Sequence, residues 1–420
     1  MAEERNIVVL GASISGLMST HYIMKFIFPA LKAKHDGVKY RVCVISPSTD
    51  YYHRIATPRT SASTALLPAD KLFWDLTEPL KQYPTSDISF IQGTATGWDT
   101  TARTVKYMRS GSVANESLTY HALIVATGSN TFDPAYSMHT DSQAALEALK
   151  YMNAKVSAAK DIIIVGGGPT GTESAGEIGE LLNGKPGWFS TPPPKVNITL
   201  ITATIQLLPT LRPAIAQLAE AQLKKLGVKV LYNTRVADVS VAENKRTTVT
   251  LAKGEKLEAD LYIPAYGVRP NTSFVPSNLL TPTKYLDTNA ATLRVDAAGP
   301  RVYALGDVAS YSCNNAIDIQ DGHPVLMVNL KRDLLAFDPA FPNEPAPGKD
   351  RIFTPMTKEM MIVPIGTAGG VGAIFGWKVP SWFVWAVKGR DYMIGLVAKP
   401  LVTGERVKKE YVWTKEEAVA

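Results

Sequence analysis

The chain has 420 residues, enough for two to four domains, and its 45% hydrophobic and 20% charged content is that of an ordinary globular protein. Its 44 basic and 38 acidic residues leave a net charge of +6, but the cations are dispersed. No Lys/Arg cluster tracks a groove, which argues against nucleic-acid binding, and two cysteines, Cys43 and Cys313, exclude a CxxC pair and a disulfide framework.

The six histidines and two cysteines form no metal-ligand spacing, so no metal is expected. The N-terminal MAEERNIVVLG enters a strand at once, leaving no room for a signal or transit peptide. Ala2 stands where myristoylation needs glycine. A cytoplasmic, reducing setting is expected.

In chain order, residues 6–16 (NIVVLGASISG) run from an apolar strand into Gly11-x-Ser13-x-x-Gly16, and Leu17, Met18, Tyr22 and Ile23 continue as a helix. A strand, a glycine turn and a helix start make the front half of a βαβ nucleotide-binding unit. The glycines let the backbone turn and approach a pyrophosphate, which rests on the free N–H groups of the helix. Ser13 replaces the usual middle glycine. The next strand, 40–45, ends at Ser46, where an acid normally holds a ribose hydroxyl. Residues 50–59 (DYYHRIATPR) read as a loop and 60–84 as a connection with a short helix around 72–80. Residues 88–95 and 104–108 read as strands of an antiparallel insertion, and 122–128 (ALIVATG) as a buried strand ending in Ala126, Thr127 and Gly128.

A helix over 141–160 leads into the second unit. Residues 161–177 (DIIIVGGGPTGTESAGE) place four apolar residues before Gly166-x-Gly168-x-x-Gly171 and a helix carrying Glu173 and Glu177. Two such units in one chain suggest two bound dinucleotides. The following strand, 196–201, comes after a Pro-rich surface loop at 191–194 and ends in Thr202. With no acid there, NADPH is as open as NADH, and Arg212 is the nearest strong cation. A helix is expected over 214–226, a strand over 228–232 and antiparallel strands through 236–258. Residues 261–267 (LYIPAYG) repeat the form of ALIVATG and end at Gly267. Residues 302–307 (VYALGD) give one more buried strand, with Asp307 at its carboxyl end.

This order of GxSxxG, ATG, GxGxxGxE, a second strand–Gly and a GD strand resembles the two-dinucleotide-binding flavoproteins across essentially the whole chain. The loop residues His53, Ala56 and Arg59, the run GGGPTGTESAGE, DVAS after the GD, and Gly389-Arg390-Asp391 are most similar to the apoptosis-inducing-factor-like group, and within it to ferroptosis-suppressor-like NAD(P)H:quinone oxidoreductases. The resemblance implies an α/β fold of two Rossmann-like domains, the NAD(P)H domain (139–275) inserted in a discontinuous FAD domain (1–138 and 276–349), with an α+β C-terminal region (350–420).

It further implies FAD on Gly11, Ala12, Ser13, Ile14, Ser15 and Gly16, with Ala95 meeting the adenine. Arg59 would face the flavin or phosphates, Ala126, Thr127 and Gly128 the same cofactor, and Asp307 its ribityl chain or pyrophosphate. NADH or NADPH would lie on Gly166, Gly168, Pro169, Thr170, Gly171 and Gly267, with Glu173 near the nicotinamide. Each assignment has a plainer counterpart: Asp307 as a helix N-cap, Arg59 as a solvated loop arginine, Glu173 as a first-turn glutamate favoured by the helix dipole. His53 is either a proton-supplying catalytic residue or a buried structural histidine.

The flavin would carry the hydride chemistry while the protein fixes geometry and excludes water. Hydride would pass from NAD(P)H to FAD, and electrons then to a quinone-like acceptor. Residues 360–377 hold 18 uncharged residues, but five glycines and a proline make a poor lipid-facing helix; the resemblance implies a strand pair beside the flavin, walling the acceptor site. The aromatic and cationic sequel KVPSWFVWAVKGR suits a peripheral membrane contact or, equally, a core or dimer interface. Monomer and homodimer both remain open. A soluble biosynthetic FAD-dependent oxidoreductase acting on a specialised metabolite is the alternative function, since fold does not fix the acceptor.

Overall fold

The computed structural model describes residues 4–35, 37–137, 141–187, 192–243 and 246–418. Residues 1–3, Thr191 of the Pro-rich loop and the expected 138/139 boundary lie outside the described residues.

Strand Glu4–Leu10 sits inside a seven-stranded sheet, in parallel register with Lys39–Ser46 on one side and Ala122–Val125 on the other. Ile88–Asp99 and Val302–Ala304 extend it in parallel at the two flanks. These core strands are continuous apolar runs, as burial on both faces of a parallel sheet demands. Ile88–Asp99 is long enough to serve two layers. A bulge between Ala95 and Gly97 bends it out to pair antiparallel with Thr104–Arg109, which in turn pairs with Asn115–Thr119.

The second sheet is parallel in the order Val228–Leu231, Asn197–Ile201, Asp161–Val165, Leu261–Pro264. Beside it lies the antiparallel trio Val236–Val241, Thr247–Leu251 and Lys256–Ala259. The hairpin Met361–Pro364 and Gly370–Ile374 packs on helix Pro169–Asn183, close enough that a Cβ on Gly176 would meet the Gly366 nitrogen at 2.9 Å.

Helices Ser142–Ala158 and Pro213–Lys225 fall where the apolar period puts them, the first capped by Asp141, whose carboxylate accepts from the Ala144 N–H at 2.7 Å. Two expectations change. The loop at 50–59 is structured: Asp50–Tyr52 is a strand pairing antiparallel with Phe73–Asp75, and Thr57–Ala62 is a helix. The helix near 72–80 therefore shrinks to Thr77–Leu80. Aromatic cross-strand packing wins there, with Tyr52 stacked on Phe73 at 4.8 Å, and the Asp75 carboxylate accepts from Glu78 N–H at 2.9 Å. The helix Ala316–Leu335, capped by Asn315 and containing Pro324, was not expected from the sequence at all.

His21, fully buried on the first helix, bonds Tyr83 Oη at 2.9 Å and the Val402 carbonyl at 3.1 Å. Burial pushes its imidazole down to about 4, and that of the fully buried His323 to about 3. Neither group penalises folding above its ordinary 6.5. As pH falls below 6.5 the unfolded chain takes up protons that the folded chain refuses, and the loss is complete only below about 4 and about 3. At pH 5 each should cost about 2 kcal/mol. Thermal unfolding should drop steeply between pH 7 and pH 5, and His323→Phe should flatten the drop. An equal drop in that variant would overturn the assignment.

Candidate active site

The two glycine turns are built alike. Gly11 has φ +100°, and a Cβ there would strike the Ala126 carbonyl at 2.4 Å; a Cβ on Gly16 would strike the Gly11 carbonyl at 1.8 Å. In the second unit Gly166 has φ +128°, with the Ala265 carbonyl 2.2 Å from its Cβ position, and Gly171 meets the Gly166 carbonyl at 1.9 Å. The first and third glycines of each motif are thus required by backbone approach. The middle position differs: nothing lies within 4 Å of a Cβ on Gly168. Ser13 is tolerated at that position because it is extended, at φ −101°, as the N-cap of helix Ile14–Tyr22.

Above the first turn two cavities join, sharing Ser13, Ala126 and Thr127. One, of about 280 Å³, runs from Gly11 and Ala12 past Ser46 to Ala95 and Phe274. The other, of about 340 Å³, holds Ser13, Ile14, Ser15, Gly128 and Asp307. Thr127 and Asn271 clamp the junction, each side chain donating to the other's carbonyl at 2.8 Å. An elongated dinucleotide fits this shape, with the helix N-terminus at its middle.

Asp307 accepts a hydrogen bond from Ser129 Oγ at 2.8 Å and caps no helix, since none starts between it and Ala316. Arg54, which the sequence did not single out, lines the same cavity and donates to the Ser129 carbonyl at 2.7 Å. Burial lowers its guanidinium, with Asp307 opposing.

Pro169, Thr170 and Glu173 of the second unit's helix line this first-unit cavity. Glu173 is 3% exposed and accepts from Lys388 Nζ at 2.5 Å, and Lys388 also donates to the Ile362 carbonyl at 3.3 Å. Burial raises the Glu173 carboxyl and Lys388 pulls it back. A buried glutamate needs a cation, and that need is the one sequence signal pointing to Lys388.

His53 and Arg59 line neither cavity. His53 is fully buried, with Nε2 bonded to the Tyr392 carbonyl at 2.9 Å and Nδ1 to Tyr51 Oη at 3.1 Å. Both nitrogens are occupied, and burial lowers its pKa. This geometry favours the structural histidine over the proton-supplying one.

Arg59 is not a solvated loop arginine: it is 4% exposed. It forks onto Glu177 at 3.0 and 2.8 Å and donates to the Gly389 carbonyl at 2.6 Å. Tyr392, fully buried, gives its hydroxyl to Glu177 at 2.9 Å under the Arg59 guanidinium. Tyr392 and Met393 are left-handed at φ +52° and +64°, strain that these bonds hold in place.

The second turn opens on a cavity of about 460 Å³ lined by Gly166, Gly168, Thr202 and Gly267, while Gly171 packs beneath. Arg212 lines none of it. It forks onto Glu359, with Nε at 2.7 Å, and donates to the Gly376 carbonyl. Phe375 and Trp377, expected to wall the acceptor site, are exposed at 52% and 79% and line none of the cavities described above. They flank Gly376, where the chain reverses towards solvent.

Residues 5–329 match the family model described as pyridine nucleotide-disulphide oxidoreductase. The chain is 40% identical over 401 residues to oxidoreductase phnG of Penicillium herquei, covering 93% of this chain and 94% of the relative. It is 24% identical over 404 residues to ferroptosis suppressor protein 1 of Homo sapiens, covering 93% and 94%. The sulfide:quinone oxidoreductase of Aquifex aeolicus shares the fold with a TM-score of 0.66 at 15% identity, over 95% of this chain and 92% of that one. The chain therefore belongs to the pyridine nucleotide-disulphide oxidoreductase family and is an FAD-dependent oxidoreductase of pyridine nucleotides.

Proposed function

We propose that this chain passes hydride from NAD(P)H through FAD to a flat, quinone-type acceptor. The observation that carries the reading is the composition of one cavity: the first turn of the second unit's helix and the Glu173–Lys388 pair share it with the first unit's nucleotide cradle. The domain division 1–138, 139–275, 276–349 and 350–420 is part of the same reading. FAD, held on residues 11–16, Ala95, 126–128 and Asp307, supplies the hydride-accepting and hydride-donating chemistry. Pro169, Thr170 and Glu173 position the nicotinamide end, and Gly166, Gly168 and Gly171 hold the pyrophosphate. Lys388, fixed by Glu173, puts positive charge where hydride arrives.

Cys43 and Cys313 are free and neither lines the cavity, so the chain itself offers no disulfide to take up the electrons. Tyr51, Tyr52 and Tyr136 line it with Ile55, Pro58 and Val268. The hydroxyls of these tyrosines already bond His53, the Ala135 carbonyl, and Ser61 and Ser174. What remains is apolar ring surface suited to a planar acceptor. Identity of 24% with ferroptosis suppressor protein 1, across nearly all of both chains, supports the quinone class and the ferroptosis-suppressor-like placement.

Purified protein should be yellow and should bleach anaerobically with NADH or NADPH, then regain colour on addition of a quinone, taking one proton from solvent per turnover. A bleached protein that simple quinones fail to reoxidise would overturn the quinone reading and favour the biosynthetic alternative.

Among the described residues no helix is long and apolar enough to cross a membrane. Exposed Trp377, Trp382 and Trp385 beside Lys378 and Arg390 support a peripheral contact with an anionic lipid surface. Protein should co-float with vesicles containing phosphatidylserine, and Trp382→Ser with Trp385→Ser should abolish this. Equal flotation of that double variant counts against the contact.

A further inference from the structure

Resting on the reading that NAD(P)H enters over Gly166–Gly168, we propose that this cavity selects NADPH over NADH, and that Arg235 is the residue that reads the 2′-phosphate. The end of strand Asn197–Ile201 is where the adenosine ribose is recognised in this kind of unit. An acid there accepts from both ribose hydroxyls and repels a phosphate. Here the strand runs into Thr202, whose Oγ1 lies 2.5 Å from the Cβ position of Gly167 and is shared with Thr204 Oγ1 at 2.8 Å. Short hydroxyl side chains fill the space, and no carboxylate lines the cavity among the described residues. A 2′-hydroxyl finds no anionic acceptor on this wall.

Arg235 reaches the same cavity from another direction. It follows strand Val228–Leu231, which lies next to Asn197–Ile201 in the sheet, and its carbonyl is anchored by the Ala252 N–H at 2.8 Å. Its side chain is exposed, and among the described residues it makes no ion pair. Arg212, the cation nearest in sequence to the strand end, is already held by Glu359 and the Gly376 carbonyl. A guanidinium without an ion pair among the described residues, on an anchored backbone in a cavity that Thr202 and Thr204 also line, is a phosphate partner: its planar fork matches two phosphate oxygens.

Titration of the FAD-loaded protein with 2′,5′-ADP and with 5′-AMP, followed by calorimetry, reads this directly. FAD occupies the other adenosine cavity, so both half-cofactors report on this one. The 2′-phosphorylated compound should bind about ten- to a hundredfold more tightly. Arg235→Ala should remove that advantage and leave 5′-AMP within about twofold, while Arg235→Lys should keep part of it. Affinity for 2′,5′-ADP should also weaken below about pH 6, as the phosphate takes up a proton. Equal affinity for the two compounds, or equal loss of both in Arg235→Ala, overturns the proposal. Retained discrimination with no hydride transfer from either cofactor would overturn the functional reading and leave this one standing.

Discussion

Arg59→Ala should destabilise the protein by about 3–5 kcal/mol, the usual cost of leaving one member of a buried ion pair alone. The Glu177 carboxyl would be left at zero exposure without its guanidinium, with the Tyr392 hydroxyl as its remaining partner among the described residues. The Gly389 carbonyl would lose its donor, and the left-handed pair Tyr392 and Met393 would lose part of what holds it. Release of this segment should show as new proteolytic cleavage near residues 389–394. Chemical denaturation measures the loss. Joining Arg59→Met with Glu177→Leu should recover at least half of it, because no charge is then stranded. If the double variant loses the sum of the single losses, the pair is not what secures the segment.

The second large effect concerns Glu173 and Lys388. Lys388→Met should slow flavin reduction by NAD(P)H about a hundredfold, the scale of losing one charged donor at a reacting centre. Glu173→Gln should slow it by a comparable amount, because the carboxylate fixes where that ammonium sits. The two substitutions together should be no slower than Lys388→Met alone. A double variant that recovers the native rate would make the pair purely structural.

The pH dependence follows from burial, which holds the Glu173 carboxyl above its ordinary 4.5. Its contribution to stability is fully present below 4.5 and is lost as pH rises through the raised value. Hydride transfer that uses the ionised pair rises over the same window, and Glu173→Gln should remove that acid limb. Stopped-flow reduction across pH 4.5–8 checks both.

The glycine cradles were legible because their constraint is local: spacing, a preceding apolar strand and a following helix determine Gly11, Gly16, Gly166 and Gly171, whatever the rest of the chain does. The place of Asp307 was legible in part: the buried strand Val302–Ala304 ends three residues before it, and its Ser129 donor, 178 residues away, was not. His53 and Arg59 were not. Their partners Glu177, Gly389 and Tyr392 lie more than a hundred residues away, and a loop motif cannot show whether it faces a cofactor or a distant segment of its own chain. Helix Ala316–Leu335 is not legible in the sequence because Pro324 interrupts a pattern whose buried face includes Asn329, Arg332 and Asp333. Lys388 and Arg54 were within reach only through the partners that Glu173 and Asp307 demanded. Phe375 and Trp377 misled because an aromatic at a hairpin tip carries the same letters as one in a wall.

The first sheet is completed by Val302–Ala304, paired to Ala122–Val125 roughly 180 residues earlier. At about 5–20 residues per second of synthesis, Ala122–Val125 waits on the order of ten to forty seconds with one edge open before its neighbour emerges. The second sheet closes sooner, since all its strands lie between Asp161 and Pro264. The nascent chain therefore has a finished inner module while the outer one still offers one open edge of the apolar strand ALIV to whatever is nearby. Holding capacity from ribosome-associated chaperones during that interval, rather than the stability of the completed enzyme, should set the yield of soluble protein.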